Sequence, residues 1–238
     1  RGSSTIDVAV ACFAERDYKA ALTAAQRAMR GMVKAELLRR YRTDRFQTVY
    51  GLTQRGAELL QEAGIEAAAS VRRVSDMTNP EHRLWAQFLV LCAEARRLPA
   101  WTEDELLRLL NHKTSFDTSA VQGPLTVRVR KLKGTCVKVL RPDAFWVEPD
   151  GATWAEVDRS ARGSDRAADL RALVLSVGAP LLTGQALRRV AVFTRSERIH
   201  RRVLALLAQL SGQTAKAPLA IGRREVRETA PGEYEVWE

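Results

Sequence analysis

The chain is short of the residues that build metal clusters and covalent frameworks. It has three cysteines, Cys12, Cys92 and Cys136, far apart and with no CxxC pair. An odd, scattered set of this kind excludes a disulfide scaffold and a zinc-ribbon spacing, and it fits a reducing compartment. Its three histidines, His82, His112 and His200, are scattered as well. That removes any chemistry needing a His-hydrophobe-His cluster. Tyr234 is the one tyrosine late in the chain and sits in a strand-like tail, a poor setting for a nucleophile. No run of about 18 apolar residues and no signal-peptide pattern is visible. A cytoplasmic protein with no membrane partner is expected.

Positive charge is what the chain has in excess. Across 238 residues Lys+Arg outnumber Asp+Glu by 38 to 28, a formal net charge of +10. Most of that charge is arginine, the better fork for phosphate. Such a balance points to an anionic partner, most often nucleic acid. At 46% hydrophobic the chain can also bury a sizeable core.

The first third reads as a small helical domain with a ribbon. Ile6 to Glu15 and Tyr18 to Ala24 carry short apolar periods, and Met29, Met32, Val33, Leu37 and Leu38 recur at helical spacing in AQRAMRGMVKAELLRRYR. TDRFQ is a polar turn, TVYGLT a strand, and TQRGAELLQEAG a helix ending at Gly64. Three helices, a two-stranded ribbon and a further helix make the order of a winged helix-turn-helix. Its third helix is expected to enter the major groove of double-stranded DNA through Arg27, Arg30 and Lys34, with Arg42 and Arg45 of the ribbon on the flanking backbone. A plain helical domain with a solvated basic face is the alternative. Asn79-Pro80 is a natural break. It suggests domains of 1–79 and 80–238, with the apolar helix from His82 to Arg97 in the second.

The second part reads as a mixed α/β (α+β) domain. LTVRVRK alternates as a strand, Pro149-Asp150-Gly151 is a hairpin turn between Ala144–Glu148 and Thr153–Asp158, and Ser164 to Val177 is a helix. RRVAVF is a buried-type strand, Glu197 to Leu210 an amphipathic helix, and the tail offers short strands near residues 217–221, 226–228 and 234–237. This is a small mixed sheet covered by helices, in the order of the PD-(D/E)xK phosphodiesterase core. Residues two apart on a strand face the same way. Glu156 and Asp158 therefore share a side, and Asp143 at the mouth of the neighbouring strand can reach the same spot. Oxygen ligands gathered like this suit Mg²⁺ or Mn²⁺. Where that core carries a lysine, this chain has Asp158, so a cation has to come from Arg159, Arg171 or Lys138.

The combination of VYGLTQRGAELL, HRLW, LRPDAFWV and WAEVDR resembles the bacterial replication-relaxation proteins, related to MobC-type mobilisation proteins, over roughly Ala21 to Leu210. The resemblance implies DNA binding at an origin or promoter of a plasmid or integrative element. It also implies a nuclease-like domain in which Asp143, Glu156 and Asp158 form the catalytic and metal set and Arg171 replaces a lysine. Two readings follow from it. One is a sequence-specific DNA-binding protein with a degenerate nuclease-like domain and no cofactor. The other is a Mg- or Mn-dependent nickase, a relaxase-like endonuclease acting in conjugation. Protein partners in a mobilisation or replication complex, and a homodimer, are further associations it leaves open.

Overall fold

The computed structural model describes residues 3–42, 48–67, 69, 80–113, 122–131, 134–157, 164–194 and 196–211. It is a mixed α/β chain in two compact units, divided between Ala95 and Arg96. No helix among the described residues is long and apolar enough to cross a membrane.

The first unit contains β1 (Ser3–Ser4), α1 (Thr5–Phe13), α2 (Tyr18–Lys34), β2 (Leu38–Arg42), β3 (Thr48–Leu52), α3 (Gln54–Glu62) and α4 (Pro80–Ala95). Helix α1 starts at a capping box. The Ser4 hydroxyl accepts from Asp7 N, and the Asp7 carboxylate accepts from Ser4 N at 2.6 Å. Small residues let α1 and α2 pack closely, with Ala9 against Ala21 and Ala25. On another side of α1, Val10 meets Phe88 and Cys92 of α4, with Trp85 edge-on to Phe88 at 5.8 Å.

The sequence order predicts two helices between Tyr18 and Arg42, and the structure has one. No glycine or proline interrupts Ala24-Ala25, so α2 runs unbroken to Lys34. It stops where Glu36 takes a left-handed φ of 60° and Ala35 N reaches Gly31 O. LRRYR, expected to extend the helix, pairs instead with TVYGL in five register pairs from Leu38↔Leu52 to Arg42↔Thr48. The strand pairing satisfies backbone groups along the whole segment and outweighs the helical spacing of Leu37 and Leu38. Strand β1 adds to the far side of β3.

Helix α3 docks on the α2–β2 junction through its own cap. The Thr53 hydroxyl accepts from Gly56 N at 3.0 Å and lies within bonding reach of Glu36 O at 2.6 Å. Thr53 N donates to Leu37 O at 3.1 Å. A Cβ on Gly56 would stand 2.3 Å from that same Leu37 oxygen. Only glycine fits there, which explains the Thr-x-x-Gly spacing of LTQRG.

Helix α4, expected in the second domain, belongs to the first unit. The break at Asn79-Pro80 sets the start of this helix, while the division between units follows its end.

The second unit contains β4 (Ala100–Thr102), α5 (Glu103–Lys113), β5 (Leu125–Lys131), β6 (Gly134–Leu140), β7 (Ala144–Glu148), β8 (Gly151–Val157), α6 (Ser164–Leu175), β9 (Leu187–Phe193) and α7 (Glu197–Ser211). A four-stranded sheet runs β4-β7-β8-β9, with β8 and β9 parallel and the other pairs antiparallel. Strands β5 and β6 form a separate two-stranded ribbon. The hairpin turn lies where the sequence puts it. Gly151 has φ 138°, and a Cβ there would meet Ala186 O at 2.9 Å. Strand β4 pairs with β7, and its last residue caps α5: Glu105 accepts from both the N–H and the hydroxyl of Thr102, at 3.0 and 2.7 Å. One core joins Phe145, Trp154, Val190, Val192, Leu173 and Ile199 with the inner face of β5. The tail strands and Tyr234 lie outside the described residues.

Two outcomes test these supports. Gly56→Ala is expected to destabilise the chain by ~1–3 kcal/mol through overpacking, read by urea unfolding. Burial pushes the Asp7 carboxyl up from 3.8 to about 6, against the two Ser4 hydrogen bonds. The unfolded chain then loses this proton before the folded one does, so stability falls as pH rises from 3.8 to about 6. Asp7→Asn should raise stability at pH 8 by on the order of 2 kcal/mol, and the gain should shrink as the pH drops from about 6 to 3.8. A gain that persists in acid would contradict the burial account.

Candidate functional site

Helix α2 sorts its residues sharply. Ala21, Ala25 and Met29 are buried, and Lys19, Thr23, Gln26, Arg27, Arg30 and Lys34 are exposed. At 100° per residue those six positions fall within one narrow face opposite the buried one. The helix has no acidic residue, so nothing on it neutralises that face. Arg30 Nε donates to Gln26 O at 3.2 Å, which lays the guanidinium along the helix surface. The expected contacts Arg27, Arg30 and Lys34 are therefore brought together.

The ribbon continues the basic character. Arg39, Arg40 and Arg42 of β2 are all exposed. Arg42 stands at the position expected of it, and Arg45 lies outside the described residues. Arg39 and Arg40 were hidden from sequence reasoning by the helical assignment of LRRYR. The signal that finds them is five residues able to pair with TVYGL. Among the described residues nearby, the acid Glu36 forms an exposed 3.6 Å pair with Arg55. An ion pair so open to water contributes little.

The carboxylates of the second unit sit elsewhere. The β7–β8 register ends at Ala144↔Ala155, and one further step sets Asp143 opposite Glu156. Asp143 Oδ2 accepts from Val157 N at 2.7 Å, and Asp143 N donates to Ala155 O. Glu156 Oε1 accepts from the buried Trp154 indole at 2.8 Å, and Oε2 lies 3.3 Å from an Arg166 guanidinium nitrogen. Glu156 and Arg166 face a cavity of about 290 Å³ at the carboxyl end of β8, floored by Leu173, Val192 and Ile199. Lys138 of β6 enters the same cavity and is ion-paired with Asp169 of α6.

A cation beside Glu156 is Arg166. Arg171, expected in that role, is not among the residues lining the cavity; five residues separate the two arginines, about 140° around the helix. A basic residue in the first turn of the helix after the ExD strand was the signal for Arg166. Asp158 and Arg159 lie outside the described residues.

Among the described residues no group of three or more His, Cys, Asp or Glu side chains stands close enough to hold a metal ion, and Asp158, the third acid of the expected set, lies outside them. Asp143 uses an oxygen to fasten the end of β8, and both Glu156 oxygens face hydrogen-bond donors.

The family model for replication-relaxation matches residues 3–169, more than half of the chain. The match takes in α2, both strands of the first ribbon, Asp143 and Glu156. No curated protein and no solved structure matches.

If Asp143 braces the strand ends, Asp143→Ala should cost ~1–3 kcal/mol, the penalty of an orphaned part-buried N–H. Thermal unfolding measures this. A variant as stable as the parent would remove the bracing role.

Proposed function

The chain belongs to the replication-relaxation family, and from that premise we propose a sequence-specific DNA-binding protein of a plasmid or integrative mobile element. It acts at an origin or promoter. Helix α2 is the recognition element of a winged helix-turn-helix, and β2–β3 is its wing. The observation that carries this reading is the acid-free α2 face of Lys19, Arg27, Arg30 and Lys34, followed at once by the exposed arginines of β2. An α-helix fits the major groove, where arginine forks onto guanine and lysine or arginine pairs with phosphate. The turn between α1 and α2, residues 14–17, has the length that helix-turn-helix units use.

The second unit, in this reading, is a nuclease-like sheet that no longer cuts. Its carboxylates brace β7 to β8 and balance Arg166 and Lys138. The competing reading is a Mg²⁺- or Mn²⁺-dependent nickase using Asp143, Glu156 and Asp158, and the register that sets Asp143 opposite Glu156 favours it. Supercoiled plasmid incubated with Mn²⁺ separates the two. Nicking that disappears in Asp143→Ala and Glu156→Ala establishes the enzyme. Intact plasmid, with duplex binding retained in Glu156→Gln, establishes the binding protein.

Binding itself is read by fluorescence anisotropy on duplexes from the element's origin. Arg30→Ala should weaken the preferred duplex by ~1–3 kcal/mol, about fivefold or more. Lys34→Ala should weaken all duplexes alike and lower the salt slope by about one. Loss of neither affinity nor slope would remove α2 from the interface.

A further inference from the structure

The outer face of the β5–β6 ribbon in the second unit has no part in the site described above. From Thr118 to Pro142 the chain has no acid, while Arg128, Arg130, Lys131, Lys133, Lys138 and Arg141 are basic. The ribbon's inner face is fixed: Leu125, Val127 and Val129 are buried in the core, and Lys138 on that face is tied to Asp169. Its base is fastened as well. A Cβ on Gly123 would lie 2.3 Å from Leu140 O, Arg141 Nε donates to Gln122 O at 2.5 Å, and Leu182 N donates to Pro124 O.

The outer face is open. Thr126 and Arg128 are exposed, and Val137, opposite Arg128 in register, is 69% exposed. Arg130 stands opposite Thr135 in register. Among the described residues β6 pairs with β5 alone. Charges on a ribbon often guard such an edge against pairing with another chain. In a two-stranded ribbon both strands are edges, and guarding accounts for only one of them: β6 presents Thr135, Cys136 and Val137, all uncharged and exposed, while the arginines stand on β5.

We propose that the outer face of the β5–β6 ribbon is a second nucleic-acid contact, in which Arg128 meets a phosphate of duplex DNA with Val137 against the groove wall. It rests on the reading of the chain as a DNA-binding protein and adds a contact in the other unit. A two-stranded ribbon is about the width that the major groove admits. Arginine on one strand with an apolar side chain opposite supplies both phosphate pairing and van der Waals contact with sugars or a thymine methyl.

The test uses the full chain, duplex DNA and a salt titration. Arg128→Gln should weaken binding about fivefold and lower the slope of log affinity against log salt by about one, at ~0.9 per phosphate released. Arg27→Gln with Arg30→Gln is the parallel variant in α2. If the α2 variant weakens binding and the ribbon variant leaves affinity and slope unchanged, the ribbon contact is wrong and the DNA-binding reading stands. If the parent chain binds no duplex at any salt, both fall. A second measurement avoids substitution in the arginines. In Cys12→Ser/Cys136→Ser/Thr126→Cys the exposed thiol lies on the outer face, since Thr126 is exposed beside Arg128 and Cys92 is buried. A photoreactive maleimide there should cross-link to bound duplex and be displaced by unlabelled duplex. Normal binding without a cross-link overturns the proposal.

Discussion

The carbonyl oxygen of Leu37 is the fixed point of the first unit. It accepts from Thr53 N, it lies within reach of the Thr53 hydroxyl, and the missing Cβ of Gly56 lets α3 come down on it. The end of α2, the start of β2 and the start of α3 thereby meet at one place. The basic face of α2 and the arginines of β2 keep a set relation because the backbone between them, Ala35 to Leu37, is held from both sides. Glu36 tolerates its left-handed turn for the same reason. The strain of that conformation, of order 1 kcal/mol for a non-glycine residue, is offset by the bonds converging around it.

The second unit shows the opposite use of charge. On α2 the cations have no acids among them, so their field reaches solvent. Around the cavity two of the lining cations face a carboxylate: Arg166 with Glu156, and Lys138 with Asp169. Pairs at this depth lose hydration and regain it through contact, with little net change in stability. Their effect is on geometry, fixing α6 against β8 and β6. Paired charges like these hold elements together, whereas an unpaired basic face such as that of α2 attracts anions.

Much of this was legible in the residues. The hairpin at Pro149-Asp150-Gly151, the strand at LRRVAVF and the helices around Ser164 and Glu197 follow from turn chemistry and apolar period, and the structure has them. The placement of Asp143 beside Glu156 also follows from period two and one tight turn. What misled was local ambiguity. LRRYR has apolar spacing that suits a helix, and only its partner 10 residues on, Leu38↔Leu52 to Arg42↔Thr48, makes it a strand. Arg171 and Arg166 differ by a rotation that composition cannot fix. Strand β4 is three residues long, too short to show a period. The end of α4 could not be read as the dividing line because an apolar helix packs on whichever neighbour offers a matching face.

The parallel pairing of β8 with β9 has a consequence for synthesis. The first unit up to Glu62 is built from neighbours in sequence, so its contacts close as the chain leaves the ribosome. Strand β8 is complete at Val157, but its parallel partner ends at Phe193 after α6 has crossed over. Until then one flank of β8, with Trp154 and Glu156 on it, waits uncovered for a strand not yet made. Long-range pairing of this kind is slow to form. Early termination before Phe193 would release a finished N-terminal part joined to a sheet with an open side, and such fragments are candidates for chaperone capture or aggregation.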